Sequence, residues 1–266
     1  MPDLRIEFRN VTKRFPPRGP KGQPVTAVQN VSVAIGDGEV VALIGPSGCG
    51  KSTLLNMGSG LYLPTDGEVL VNGKPVTGPN PEVAFMLQKD LLLPWRTILQ
   101  NAELGLEIRG VPAAERRSRA QALLVKCHLS GFEHHYPHQL SGGMRQRAAL
   151  ARTLAVDPVV LLMDEPFSAL DAQTKMVLQQ DLAQTVAAEK KTALLITHDL
   201  VESIALADRI LVMSQRPGTI IEEIRLDDLP DRDNPMVRRR RPRVSEYAGR
   251  LMELLHIGDS TAAEAV

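Results

Sequence analysis

The chain has 266 residues, 43% hydrophobic and 23% charged, and its 31 basic and 31 acidic side chains cancel to a formal net charge of zero. That is enough apolar material for a sizeable core, near the upper size for one domain with a subdomain, and the charge balance removes any global case for nucleic-acid binding. The longest apolar runs, around Val156 and Val159 to Met163, fall far short of the ~18 to 20 residues a bilayer span needs, and no charged start with an apolar core opens the chain, so a cytosolic protein is expected.

Leu4 to Phe8 and Val31 to Ile35 are expected as short strands of an antiparallel layer, with Pro16 to Pro24 as the loop between them. Val40 to Ile44 reads as a buried strand, and Lys51 to Gly58 as the helix after it. Further buried runs, Val83 to Leu87, Val159 to Met163, Leu194 to Thr197 and Ile210 to Met213, alternate with helical segments. That alternation implies an α/β layout with a largely parallel sheet covered on both faces. Between Thr97 and Cys127 the pattern turns helical, with Ile98, Ala102, Leu106, Leu123 and Leu124 on apolar faces. The run Arg238-Arg239-Arg240-Arg241-Pro242-Arg243 reads as a solvated linker, in preference to a nucleic-acid patch, with contact to anionic lipid as a third option. A last amphipathic helix begins at Val244, with Tyr247, Leu251, Leu254 and Leu255 at helical spacing. Gly258 to Val266 reads as a disordered tail.

The chemistry concentrates between these elements. Gly45-Pro46-Ser47-Gly48-Cys49-Gly50-Lys51-Ser52-Thr53 satisfies G-x-x-x-x-G-K-[ST] between strand and helix. Glycines there let backbone N–H groups converge on phosphate oxygens, the lysine reaches the terminal phosphates and the helix N-terminus adds a favourable field. Ser52 would hold Mg²⁺ through its hydroxyl. Alone, the motif leaves kinase, GTPase, motor and transporter ATPase open, and a plain glycine-rich turn fits the flanking strand and helix poorly. Ser141-Gly142-Gly143 at a helix start is a second anion site by the same logic, or else a simple N-cap. Cys49 and Cys127 suggest neither a disulfide framework nor a metal site. Both are expected as free thiols, with Cys49 reachable by alkylating reagents and shielded by bound nucleotide.

Leu140-Ser141-Gly142-Gly143-Met144-Arg145-Gln146, followed by Leu161-Leu162-Met163-Asp164-Glu165-Pro166, resembles the signature and succeeding strand of the ATP-binding cassette family, with Met144 where that family has glutamine. The resemblance runs in motif order from Phe15 to His198. It implies a P-loop cassette with a mostly parallel core sheet, an N-terminal antiparallel layer and a helical subdomain at about 97–155, inside an ATPase domain of residues 1–231 followed by a helical extension and tail, 232–266. It implies ATP and Mg²⁺ as cofactors, with Ser52, Gln88 and Asp164 at the metal. Glu165 would polarise the attacking water, His198 would touch the γ-phosphate, and Gln88 would report occupancy to the helical subdomain. Ser168 to Asp171 matches the family's D-loop. Phe15 stands where the family puts an aromatic against adenine, although a core position is the alternative. Such cassettes pair head to tail, so a homodimer is implied, with Ser141, Gly142 and Gly143 completing the partner's site.

The stretch from Leu91 to Leu106, with Pro94-Trp95 inside it, resembles importers for nitrate, sulfonates and taurine, as do Ser214-Gln215-Arg216-Pro217-Gly218 and Asp164 to Thr174. The implied protein powers uptake of a small anionic solute through a separate membrane permease supplied by a solute-binding protein, peripheral on the cytoplasmic side of a bacterial membrane. The alternatives are a cassette for another solute, a soluble cassette acting on DNA or ribosomes, and an exporter cassette. Leu91, Leu92, Leu93 and Trp95 are expected as an apolar docking patch, with burial in the helical subdomain as the other reading for the leucines.

Overall fold

A computed structural model describes residues 3–17, 19 and 22–257. Its first part runs β1 (Leu4–Phe15), β2 (Val25–Gly36), β3 (Val40–Ile44), α1 (Lys51–Gly58), β4 (Asp66–Val71), β5 (Lys74–Pro75) and β6 (Val83–Met86). β1 and β2 pair antiparallel, with Ile6 opposite Ile35 and Phe8 opposite Val33. They form a four-stranded sheet in the order β2-β1-β4-β5. Ile6, Phe8, Val31, Val33 and Ile35 bury one face of it, the alternation of a half-covered sheet. β1 and β2 extend well past the expected spans. The polar pairs Arg9-Asn10 and Gln29-Asn30 interrupt the apolar alternation, and the ladder crosses them by shifting register with Asn10 and Asn30 at positive φ. β4 opens on Asp66-Gly67-Glu68, a turn-like string that conceals a strand.

The second part comprises α2 (Ile98–Ile108), α3 (Ala113–Lys126), α4 (Gly142–Ala155), β7 (Val160–Asp164), α5 (Ala172–Ala188), β8 (Thr192–Ile196), α6 (Leu200–Leu206), β9 (Arg209–Met213), β10 (Ile220–Arg225), α7 (Pro235–Arg238) and α8 (Arg243–Leu254). The core sheet has the order β10-β9-β3-β8-β7-β6, parallel except for β10 at its edge. β3, β7, β8 and β9 are buried along their whole length, as strands covered on both faces must be. Val41, Leu43, Leu194 and Ile196 face α1 and the antiparallel sheet. Ala193, Leu195, Leu161 and Met163 face α5 and the helical region.

α2, α3 and α4 pack together between β6 and β7. A capping box between Thr97 and Gln100 starts α2, and Ser141 caps α4 by accepting from the Met144 amide. Met144 then rests its side chain on the helical core, an apolar use for a position the family fills with glutamine. Gln146 is buried and donates to Pro166 O at 3.0 Å, tying α4 to the turn after β7. The apolar patch expected from Leu91 to Trp95 shrinks to two members. Leu92 is buried and Leu93 half-buried, while Leu91 and Trp95 stay exposed at 53% and 71%.

The basic run is not a solvated linker. Arg238 is buried and donates to Ala207 O, while Arg239 bonds Gln179, Arg241 bonds Asp231 and Arg243 bonds Asp228. Burial lowers the Arg238 pKa to about 10, which still leaves the guanidinium charged at neutral pH. These arginines pin α7 and the start of α8 to the body, and Val244 and Leu251 then close a third apolar cluster with Ala42 and Ile44 of β3. The tail expected at Gly258 to Val266 lies outside the described residues. Among the described residues no helix is long and apolar enough to cross a membrane.

Gly105 marks the tightest helix crossing, because a Cβ there would lie 2.2 Å from Val156 Cγ1. Gly105→Ala is expected to cost about 0–2 kcal/mol, an overpacking penalty of about 1–3 less a helix-propensity gain of about 1. Adding Val156→Ala should recover most of that loss, and denaturant unfolding of the four-member mutant cycle measures it.

Candidate active site

The loop from Gly45 to Gly50 turns the end of β3 into the start of α1. Gly50, at φ 113°, caps the helix, and a Cβ there would lie 2.7 Å from Ala27 O and 2.8 Å from Val28 Cγ2, so only glycine fits. Lys51 Nζ donates to Gly45 O at 2.7 Å and Pro46 O at 2.9 Å, which holds the ammonium against the loop's own main chain. A contact that sequence reasoning missed comes from the β9–β10 connection, where Arg216 donates to Gly48 O from Nε at 3.1 Å and Nη2 at 2.9 Å. Its only sequence signal was membership of the Ser214 to Gly218 string.

Two carboxylates follow β7. Asp164 is only 8% exposed, and burial raises its pKa from the ordinary aspartate value, opposed by a hydrogen bond from the Ser52 hydroxyl. Glu165 sits at φ 49°, a left-handed conformation that costs a non-glycine residue about 1–2 kcal/mol. Its amide donates to Ile196 O at 3.0 Å, and its own carbonyl accepts from Ser168, so both neighbouring segments hold the turn. The Glu165 carboxylate accepts from Gln88 Nε2 at 3.1 Å and lies 3.3 Å from His198 Nδ1. Gln88, Glu165 and His198 follow β6, β7 and β8, which are neighbours in the sheet, so strand order alone delivers them to one point.

Phe15, Lys51, Ser52, Gln88, Asp164 and Glu165 line one open cleft of about 790 Å³, within the range of small-molecule sites. His198 stands at its edge through Glu165, with its side chain 69% exposed. Phe15 stands between cleft and core. It lines the cleft and packs on the core beneath, with Tyr62 edge-on at 5.6 Å. Ser141, Gly142 and Gly143 are not brought to this cleft; Gly142 borders a separate groove beside Asp90 and Arg145. Asp171, last of the D-loop match, caps α5 by accepting from Thr174 N at 2.9 Å.

Cys49 departs from expectation. Its side chain points into the core and is 1% exposed, so the fold rather than a ligand covers the thiol, and it cannot serve as a nucleotide-sensitive label. Cys127 is buried too, and burial pushes its pKa up to about 12. Both are buried free thiols, and Cys49 Sγ also accepts from Lys51 Nζ at 3.8 Å.

The profile of the ABC transporter family matches residues 28–168. The chain belongs to that family. It is 42% identical over 252 residues to an uncharacterised ABC transporter ATP-binding protein of Methanocaldococcus jannaschii, covering 95% of this chain and 91% of that protein. It is 45% identical over 207 residues to the taurine import ATP-binding protein of Yersinia pestis, covering 78% and 80%. Among solved structures, an ATP-binding cassette dimer in a post-hydrolysis state with ADP and Pi matches with a TM-score of 0.75 at 34% identity, covering 83% of this chain and 98% of that one. The protein is thus the ATPase subunit of an ABC transporter, and the cassette architecture implied by its sequence is the one observed.

For this ABC ATPase, the raised pKa of Asp164 means that its charge opposes folding. The folded state binds that proton more tightly than the unfolded chain, so the penalty is complete above the folded pKa and vanishes below the unfolded one. Asp164→Asn should therefore raise the melting temperature of the nucleotide-free protein at neutral pH. That gain should shrink as pH falls through the carboxylate range, as melting curves over a pH series would record.

Proposed function

We propose that the cleft binds MgATP and hydrolyses it with Glu165 orienting the attacking water. The observation that carries this is the meeting of Gln88, Glu165 and His198 beside Lys51 and the Ser52–Asp164 pair. Gly45 to Thr53 present main-chain amides and the Lys51 ammonium to the phosphates, with Phe15 at the base end. The hydroxyl of Ser52 and the carboxylate of Asp164, already hydrogen-bonded, are hard oxygen donors that suit Mg²⁺, which takes few protein ligands beside phosphate and water. Bound there, the metal would supply charge for the phosphate oxygens. Glu165 accepts a proton from water while Gln88 and His198 fix its carboxylate, which is the positioning that in-line phosphoryl transfer requires. Ser141, Gly142 and Gly143, which do not line the chain's own cleft, would serve the cleft of a second copy paired head to tail. Residues 1–231, with the helical subdomain at about 97–155, form the catalytic unit in this reading, and 232–266 its extension.

Glu165→Gln should keep ATP affinity within a few-fold, lower turnover by at least about 100-fold and trap a dimer. Mixing Ser141→Arg with Lys51→Ala chains should return ATPase activity, because one cleft in the mixed dimer is intact. Near-normal turnover by the glutamine variant, or mixtures as inactive as their parents, would sink these assignments.

We further propose that the cassette drives import of a small anionic solute, of taurine, sulfonate or nitrate type, through a separate permease at the cytoplasmic face of the membrane. The relative named for taurine import supports the class. Exposed Trp95 and Leu91, at the border of the helical region, support docking, since tryptophan is enriched among interface hot spots. Trp95→Ala should abolish uptake and permease capture while ATP binding and melting temperature hold. Unchanged uptake in cells would remove the docking role. ATPase stimulation of the reconstituted transporter by its binding protein, loaded in turn with taurine, an alkanesulfonate and nitrate, identifies the solute, and silence with all three overturns the class.

A further inference from the structure

The phosphate loop is clamped by the connection between β9 and β10, whose Arg216 stands at the same cleft. That connection is itself rigid: Ser214 Oγ accepts from the Thr219 amide at 3.0 Å, Gly218 N donates to Ala27 O at 3.0 Å, and Gln29 N donates to Gly218 O at 3.0 Å. Its backbone presses on the loop so closely that a Cβ at Gly218 would lie 2.1 Å from Cys49 O. Arg216, otherwise exposed, spends two guanidinium nitrogens on the single oxygen of Gly48, at 3.1 and 2.9 Å.

A planar trans peptide points its C=O and N–H in opposite directions. Holding the Gly48 carbonyl on Arg216 therefore fixes the Cys49 amide toward the opposite side, the inside of the loop. There the amide makes only a long bond to Pro46 O, 3.4 Å, outside the usual 2.7–3.2 Å range, so it is free to exchange that partner for a stronger acceptor. Gly48, at φ 75° and without a side chain, has little else to hold its peptide plane. The guanidinium fork supplies what the glycine lacks.

We propose that Arg216 is a positioning residue for the reaction: it locks the Gly48–Cys49 peptide so that the Cys49 amide is aimed, before nucleotide arrives, at a phosphate oxygen of ATP or ADP. This rests on the reading of Gly45 to Thr53 as the phosphate cradle. An ammonium offers point donors in place of a fork, so lysine replaces the guanidinium only in part.

The test measures KM for ATP and Kd for MgADP in full-length Arg216→Ala, Arg216→Lys and Lys51→Ala proteins. Arg216→Ala should raise both constants about tenfold, by the same factor, with the nucleotide-free melting temperature held. The lysine variant should fall between alanine and wild type, and millimolar guanidinium ion should restore affinity to Arg216→Ala but not to Lys51→Ala. Wild-type ADP affinity in Arg216→Ala, beside a Lys51→Ala protein that has lost it, overturns the positioning role alone. So does a loss that guanidinium leaves untouched and that tracks a lowered melting temperature, which is general loosening. Undiminished affinity in Lys51→Ala would instead take down the phosphate-cradle reading itself.

Discussion

The register of β3, β8 and β7 sets the positions of Lys51, Asp164, Glu165 and His198. Leu43, Ile196 and Asp164 stand side by side across these strands. From that line the chain runs two residues on to Gly45 and the loop, one to Glu165, and two beyond Ile196 to His198. A slip of one residue in either pairing would turn the alternating side chains of a strand to the wrong face and carry its catalytic end about 3.3 Å out of line. The apolar run in each strand prevents this, because both faces are buried and a polar end residue cannot be drawn in without cost.

Around that frame the molecule combines stiff and strained parts. The phosphate loop rests on β2 through Gly50 and on the β9–β10 connection through Gly218, so two separate segments of the fold meet it. Glu165 is held in a left-handed turn by Ile196 on one side and Ser168 on the other. Asp164 is kept in a buried position that disfavours its charge. Strain and desolvation thus fall on the two carboxylates that follow β7, where a rigid sheet end can carry them.

Most of the site was legible because its residues lie in unbroken local strings. Glycine spacing, a lysine at a helix start and carboxylates after four apolar residues are patterns that neighbouring residues alone produce. What escaped were features made by distant partners. β4 and β10 were missed because Asp66-Gly67-Glu68 and Glu222-Glu223 read as turn or surface, and only their pairing with β1 and β9 makes them strands. The basic run was misread because the acceptors of Arg239, Arg241 and Arg243 come from two other segments, Gln179 on α5 and Asp231 and Asp228 on the connection after β10. Arg216 lies 168 positions from the glycine it holds, a distance no local pattern spans. Cys49 was placed correctly in the loop, but which way its side chain points follows from the packing of β2 and β9 beneath it.

The third apolar cluster has a consequence for how the last described helix bears on the phosphate loop. Ala42 and Ile44, on the strand that feeds that loop, are covered on one face by α6, and Val244 and Leu251 of α8 pack against α6 in the same cluster. Any load on α8 would therefore reach the glycine loop through α6, the helix that begins two residues after His198.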